Sequence, residues 1–204
     1  MSQSPDNSPH SALTAAEPHA EYSPEERQLL LRIAHQAIES ALGGRAISLE
    51  SPTRHLAQLR GAFTTLYLQG ELRGCVGYVL PIASVYRTIA ETARAAAFED
   101  RRFAPVHAVE AAGLRVSLSI LSPLAPIRPE DIVLGRHGLM ISSGVQRGLL
   151  LPQVPLEHGW DLEKFLEQTC HKAGLPAHAW RHGARLEAFT AEVFGERGTP
   201  DSSH

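Results

Sequence analysis

The chain has 204 residues, of which 43% are apolar and 20% charged, and its 19 basic and 22 acidic side chains leave a formal net charge of −3. A chain of that length buries roughly 70% of the surface its unfolded form exposes, enough for a core without disulfides or metals. The balanced charge gives no electrostatic footprint for nucleic acid, and no apolar run reaches even twelve residues, so no membrane-spanning helix is expected.

Two cysteines occur, Cys75 and Cys170, and the N-terminal stretch of Ser, Pro, Asp and His has no basic and hydrophobic signal character. This predicts a cytoplasmic protein with reduced thiols. Residues 1–22 and 197–204 lack sustained periodicity and read as disordered tails, which places the folded unit at 23–196. Ser23-Pro24-Glu25-Glu26 predicts a capping box, and Leu29, Leu30, Ile33, Ala34, Ala37, Ile38, Ala41 and Leu42 recur at helical steps until Gly43-Gly44.

Beyond a loop at Pro52, the β-branched and aromatic run Gly61–Leu68 predicts a strand. Gln69-Gly70 turns it into a second strand, Leu72–Tyr78. From Ile82 to Phe98 the pattern becomes helical and alanine-rich, allowing close approach to a sheet. Leu114–Ile120 alternates with period two, and Leu139–Ser142 with Gly148–Leu151 predicts a second hairpin ending at Pro152. Asp161 caps a helix carrying Leu162, Phe165, Leu166 and Cys170, and Gly174 ends it. A final strand-like run, Leu186–Phe194, has no neighbour in sequence and must pair with something distant. The expected fold class is α+β, an antiparallel sheet flanked by helices with a second, smaller lobe and a cleft between the lobes.

The most informative segment chemically is Leu72-Arg73-Gly74-Cys75-Val76-Gly77. On a strand, positions 73 and 75 share a face, so Arg73 would stabilise a Cys75 thiolate, while Gly74 and Gly77 would let a ligand reach the backbone. The opposing reading makes the glycines a tight crossing and Cys75 a small apolar filler. His137, in the turn Gly135-Arg136-His137-Gly138, is the candidate general base, with His107, Glu110 and Glu157 as weaker alternatives. Arg102 and Gln153 are candidate ligand-binding residues, although Asp100–Pro105 also reads as a helix-ending loop anchored by Phe103. Trp160, just before the helix cap, reads as a hydrophobic staple. Cys170-His171 with His178 and His182 suggests a metal, but adjacent helical residues diverge by about 100°, so no metal site and no cofactor are assigned.

The ordered blocks Leu72–Gly77, Ala96–Pro105, Val116–Pro123, Gly135–Leu139, Leu150–Val154, Gly159-Trp160 and Lys172–Pro176 resemble those of the AMMECR family, with Val76 where the family usually has Ile. The resemblance implies a two-lobed α+β fold with a cleft beside the Arg-Gly-Cys segment. It also implies the genomic company of AmmeMemoRadiSam gene sets, a Memo-like protein and a radical SAM enzyme, as partners. Two functions are expected from residues and resemblance together. One is a cysteine-dependent enzyme that modifies or transfers a group on a small molecule or peptide. The other is a non-catalytic binding or adaptor subunit whose cleft holds such a ligand for those partners.

Overall fold

The computed structural model describes residues 20–49 and 53–199. Helix α1, Pro24–Leu42, begins where the sequence places it: the Glu26 N–H donates to Ser23 Oγ at 3.2 Å, and the Ser23 N–H donates to Glu26 Oε2 at 3.1 Å. Its stop is Gly44, which takes the left-handed φ of 64°. Strands β1, Ala62–Leu68, and β2, Glu71–Tyr78, form the first hairpin, and both turn residues, Gln69 and Gly70, have the positive φ that a type I′ turn requires.

Helix α2, Val85–Phe98, starts three residues later than expected. Leu80–Ser84 forms an extended bend whose Ser84 bridges to Leu59, and Ile82 is 70% exposed instead of lying on the buried stripe. Strand β3, Leu114–Leu121, completes the local antiparallel set by pairing with β1. Helices α1 and α2 cover one face of this sheet, where Ala62, Thr64 and Leu66 of β1 meet Val116, Leu118 and Ile120 of β3. The buried Thr64 and Thr92 hydroxyls lie 2.7 Å apart. Thr92 donates onward to Thr88 O at 2.8 Å, so both polar groups are satisfied.

The chain then leaves this sheet at Ser122. Strand β4, Ala125–Pro126, the hairpin strands β5, Gly138–Ser143, and β6, Gln146–Leu150, and strand β7, Arg185–Phe189, form a second antiparallel sheet in the order β4-β7-β5-β6. A short helix α3, Val154–Glu157, follows β6, and α4, Leu162–Lys172, packs Phe165, Leu166 and Cys170 onto this sheet. Asp161 caps α4 by accepting the Lys164 N–H at 2.8 Å.

The final run, expected as one strand, is two. It breaks at Thr190: β7 pairs with β5 in the second sheet, whereas β8, Ala191–Gly195, pairs with β3 in the first, giving the order β2-β1-β3-β8. Outgoing and returning chain are joined at that break. The Ser122 N–H donates to Thr190 O at 2.9 Å and the Thr190 N–H donates to Ser122 Oγ at 3.0 Å.

The N-terminal boundary also moves. Tyr22, read as part of a tail, is 1% exposed, stacks on the His55 ring at 4.8 Å and belongs to the core under α1. Residues 197–199 continue from β8 in a turn closed by the Thr199 N–H donating to Glu196 O. Residues 1–19 and 200–204 of the tails lie outside the described ones. No helix among the described residues is long and apolar enough to cross a membrane.

The alanine-rich face of α2 sits so close to β2 that a Cβ at Gly74 would lie 2.1 Å from Ala96 O. Backbone cannot yield as a flexible side chain can. Gly74→Ala is expected to lower stability by about 2–3 kcal/mol, read as a lower urea midpoint. An unchanged midpoint would mean that this approach does not constrain the fold.

Candidate functional site in the interlobe cleft

The helices cover one face of the first sheet, and strand alternation sends every second side chain to the other. On β1 these are Phe63 and Thr65. The register then sets Cys75 of β2 opposite Thr65 on one side and Ser117 of β3 opposite it on the other, with Ser119 opposite Phe63. These side chains line the floor of a cleft of about 1120 Å³. Gly135, Arg136, Pro152, Gln153 and Glu157 form the wall from the second lobe, Ser122 and Thr190 lie at the seam, and Glu21, Arg27 and Glu192 close a third side.

Cys75 is half-buried, and its Sγ accepts a hydrogen bond from Thr65 Oγ1 at 3.3 Å. Its backbone is clamped from outside the sheet. β2 is an edge strand, and the outward Cys75 N–H donates to Asp100 Oδ2 at 2.9 Å, while Arg102 Nη2 donates to Cys75 O at 3.4 Å. Arg102 also donates to Asp100 from Nη2 at 2.7 Å and from Nε at 3.0 Å. The Arg102 guanidinium, helped by the Cys75 and Arg102 N–H groups and opposed by burial, holds the Asp100 carboxyl far below the usual carboxylate range. The Asp100–Pro105 loop thus satisfies an exposed edge that would otherwise be free to pair. Its core anchor is Val106, with Phe103 half-buried beneath the Arg102 guanidinium.

Arg73 does something other than expected. The register shifts between Leu66 and Tyr67, so Leu66 faces Gly74 and Tyr67 faces Leu72, leaving Arg73 as the extra residue of a bulge. The simple alternation that put it beside Cys75 fails there. Its guanidinium grips Glu110 through Nε at 2.8 Å and Nη2 at 3.1 Å, and donates to Ala104 O and Pro105 O. Arg73 therefore ties the edge strand to the loop after α2 and does not line the cleft. The Arg73 guanidinium, with the His107 N–H, pulls Glu110 down to about 2.

The other predicted residues divide clearly. His137 is not a cleft residue. Its Nδ1 accepts the Val133 N–H at 3.0 Å, and burial, reinforced by Arg136, lowers its pKa. His107 is exposed and meets Glu110 through its main chain. Of the candidate bases only Glu157 lines the cleft. Gln153 lines it too, whereas Arg102 acts on the Cys75 backbone.

Gly74 and Gly77 serve packing, since a Cβ at Gly77 would lie 2.1 Å from the Phe63 ring. Trp160 stacks on His158 at 4.7 Å and packs against the second core. Cys170 is buried on the inner face of α4, where burial pushes its thiol up. Glu163, Glu167 and His178 converge on the outer surface of that lobe, with Glu163 paired to Arg181 and Glu167 to Lys164. Thr65, Ser117 and Ser119 were not singled out from the sequence. For Ser117 and Ser119 the signal was there, because they are the polar positions of a strand that alternates with period two, whereas β1 gives none for Thr65, with Phe63 on the cleft face and Thr64 on the core face.

Asp100 and Glu110 are both depressed in the folded state, so the stability they contribute is present above their unfolded values and lost as the pH falls. For Glu110 the window runs from 4.5 down to about 2. Melting temperature is expected to fall as pH drops through that window, and less steeply for Glu110→Gln. Parallel pH profiles for the two proteins would refute the coupling. Arg73→Ala leaves Glu110 and two carbonyls without their donor and is expected to cost roughly 2–4 kcal/mol in urea unfolding.

The sequence relatives agree with this architecture. The AMMECR1 family model matches residues 31–194. A protein of Methanocaldococcus jannaschii is 42% identical over 182 residues, covering 84% of this chain and 90% of that protein. One of Aquifex aeolicus is 36% identical over 178 residues, covering 82% and 91%. A crystal structure of an uncharacterized protein from Pyrococcus horikoshii is similar with a TM-score of 0.66 at 38% identity, covering 84% of this chain and 93% of that one. On the family model and on relatives matched over most of their length, the chain belongs to the AMMECR1 family.

Proposed function

We propose that this protein is a cytoplasmic binding protein whose interlobe cleft takes a small-molecule or peptide-sized ligand against the face that carries Cys75. The observation that carries this reading is the floor itself, where a half-buried thiol and the hydroxyls of Thr65, Ser117 and Ser119 face a cleft of about 1120 Å³. Such a volume lies just above that of ordinary small-molecule sites, roughly 300 to 1,000 Å³, and leaves room for a peptide-sized ligand. Hydroxyls both donate and accept, so the floor suits a polar ligand of mixed hydrogen-bonding character.

A second reading, covalent chemistry at Cys75, draws on one observation. The Thr65 hydroxyl donates to Sγ at 3.3 Å, which orients the sulfur at the cleft floor. In that chemistry the thiol gives its proton to water, Sγ forms a bond to an electrophilic carbon of the ligand, and a leaving group departs from that carbon with its electron pair. Among the described residues no carboxylate or imidazole hydrogen-bonds to Cys75 Sγ, and binding is therefore the reading put first. The resemblance to AmmeMemoRadiSam proteins supports a role in which the bound ligand serves a Memo-like or radical SAM partner.

A thermal-shift screen of polar metabolites and short peptides with wild type and Cys75→Ser tests this. A ligand at about a hundred times its Kd adds about 2.7 kcal/mol, a shift on the order of 5 to 10 °C for a chain of this size. Shifts shared by both proteins support binding, and shifts confined to wild type support the covalent reading. Iodoacetamide should label Cys75 but not Cys170 in the native protein. If Cys75 is labelled only in denaturant, the cleft-facing thiol and the function built on it are both wrong.

A further inference from the structure

Two arginines line the cleft, and they differ in one respect. Arg27 is paired with Glu192 at 2.8 Å, whereas Arg136 is exposed, and among the described residues its guanidinium has no carboxylate or hydrogen-bond partner. The carboxylates on the cleft are also unequal. Glu192 is neutralised by Arg27 and Glu21 by Arg60, while Glu157, on the same wall as Arg136, has no ion-pair partner among the described residues.

The loop holding Arg136 is built, not merely solvated. Gly135 takes a left-handed φ of 80°, and even the start of a side chain there would lie 2.7 Å from Leu156 Cδ1. The Arg136 and His137 N–H groups both donate to Val133 O, at 3.2 and 3.0 Å. His137 Nδ1 closes the turn by accepting the Val133 N–H. The imidazole assigned from the sequence to base catalysis is thus a positioning group for its neighbour. A turn fixed this way holds the Arg136 backbone at the cleft wall, and the planar fork of its guanidinium suits carboxylate and phosphate oxygens.

Resting on the cleft-binding reading above, we propose that the ligand is anionic, carrying a carboxylate or phosphate that Arg136 recognises while the rest of the molecule lies across the Cys75 floor. Arg136 is the specificity-determining residue for that charge.

Cys75 itself reports the local charge. Two methanethiosulfonates of similar size, one bearing an ethylsulfonate and one an ethyltrimethylammonium group, attach to it by the same step. The thiolate attacks the sulfenyl sulfur, a disulfide forms, and methanesulfinate leaves with the bonding electrons. The ratio of anionic to cationic labelling rates, followed by mass spectrometry of the Cys75 peptide, is expected to fall roughly three- to tenfold in Arg136→Gln. Arg136→Lys should keep most of the ratio, Glu157→Gln should raise it, and the Arg136 effect should shrink in high salt. Melting temperature of each variant checks that the fold is retained. If both reagents label Cys75 and the ratio is unchanged in Arg136→Gln, the anion assignment is wrong and cleft binding stands. If neither reagent labels native Cys75, the cleft reading fails and the assignment falls with it.

Discussion

The cleft exists because the chain crosses between its two sheets at two adjacent points that hydrogen-bond to each other. Ser122, leaving β3, and Thr190, joining β7 to β8, exchange a main-chain bond and a side-chain bond. A single crossing would leave the lobes free to turn about one covalent strand. Two crossings bonded side by side hold the wall of Arg136, Gln153 and Glu157 over the floor of Thr65, Cys75 and Ser117. The break at Thr190 also lets one continuous run of residues serve both sheets, since β7 and β8 pair with β5 and β3 respectively. The geometry of any ligand contact follows from this seam.

Edge strand β2 supplies the thiol, and an edge is a demanding place to hold a side chain in a fixed position. Its inner neighbour β1 fixes one side through the ladder, but the other side has no strand. The loop after α2 supplies the missing partners one at a time: Asp100 for the Cys75 N–H, Arg102 for its C=O, and Glu110 for the Arg73 guanidinium. These charge-assisted bonds position the Cys75 backbone while leaving its side chain on the opposite, cleft-facing side. Gly74 is the complementary constraint, because α2 can bring that loop to the edge only where the strand has no Cβ. The Arg-Gly-Cys segment is therefore a junction in which each residue has a separate task. Arg73 anchors the loop, Gly74 admits the helix, and Cys75 faces the cleft.

This division explains why charge near Cys75 cannot be read from sequence spacing. Both arginines closest to it in the chain pattern, Arg73 and Arg102, are matched by carboxylates that accept two of their N–H groups. What the cleft offers instead is the Thr65 hydroxyl beside the sulfur and, from the other lobe, a guanidinium and a carboxylate that have no charged partner among the described residues. Electrostatics of the site is thus divided between a neutral, hydroxyl-lined floor and a charged wall. In the proposed binding role, recognition of a charged ligand would fall to the second lobe and contact with the thiol to the first.

Much of the fold was legible in the sequence because it rests on local rules. The capping box at Ser23, the Gln69-Gly70 turn, the cap at Asp161 and the period-two alternation of β3 each involve residues a few positions apart, and each formed the element expected. Cys75 could be singled out for the same reason, from its glycines and its place on a strand. The sequence by itself thus determined most of the elements, the α+β class and the family. Tertiary structure alone decided that Tyr22 belongs to the core, that the last run divides between two sheets, and that Arg73 turns to Glu110 and His137 to Val133. Those outcomes depend on a one-residue bulge and on partners separated by up to about 170 positions. A one-residue shift in a strand redirects a side chain entirely, and no local pattern encodes which distant group will be waiting for it.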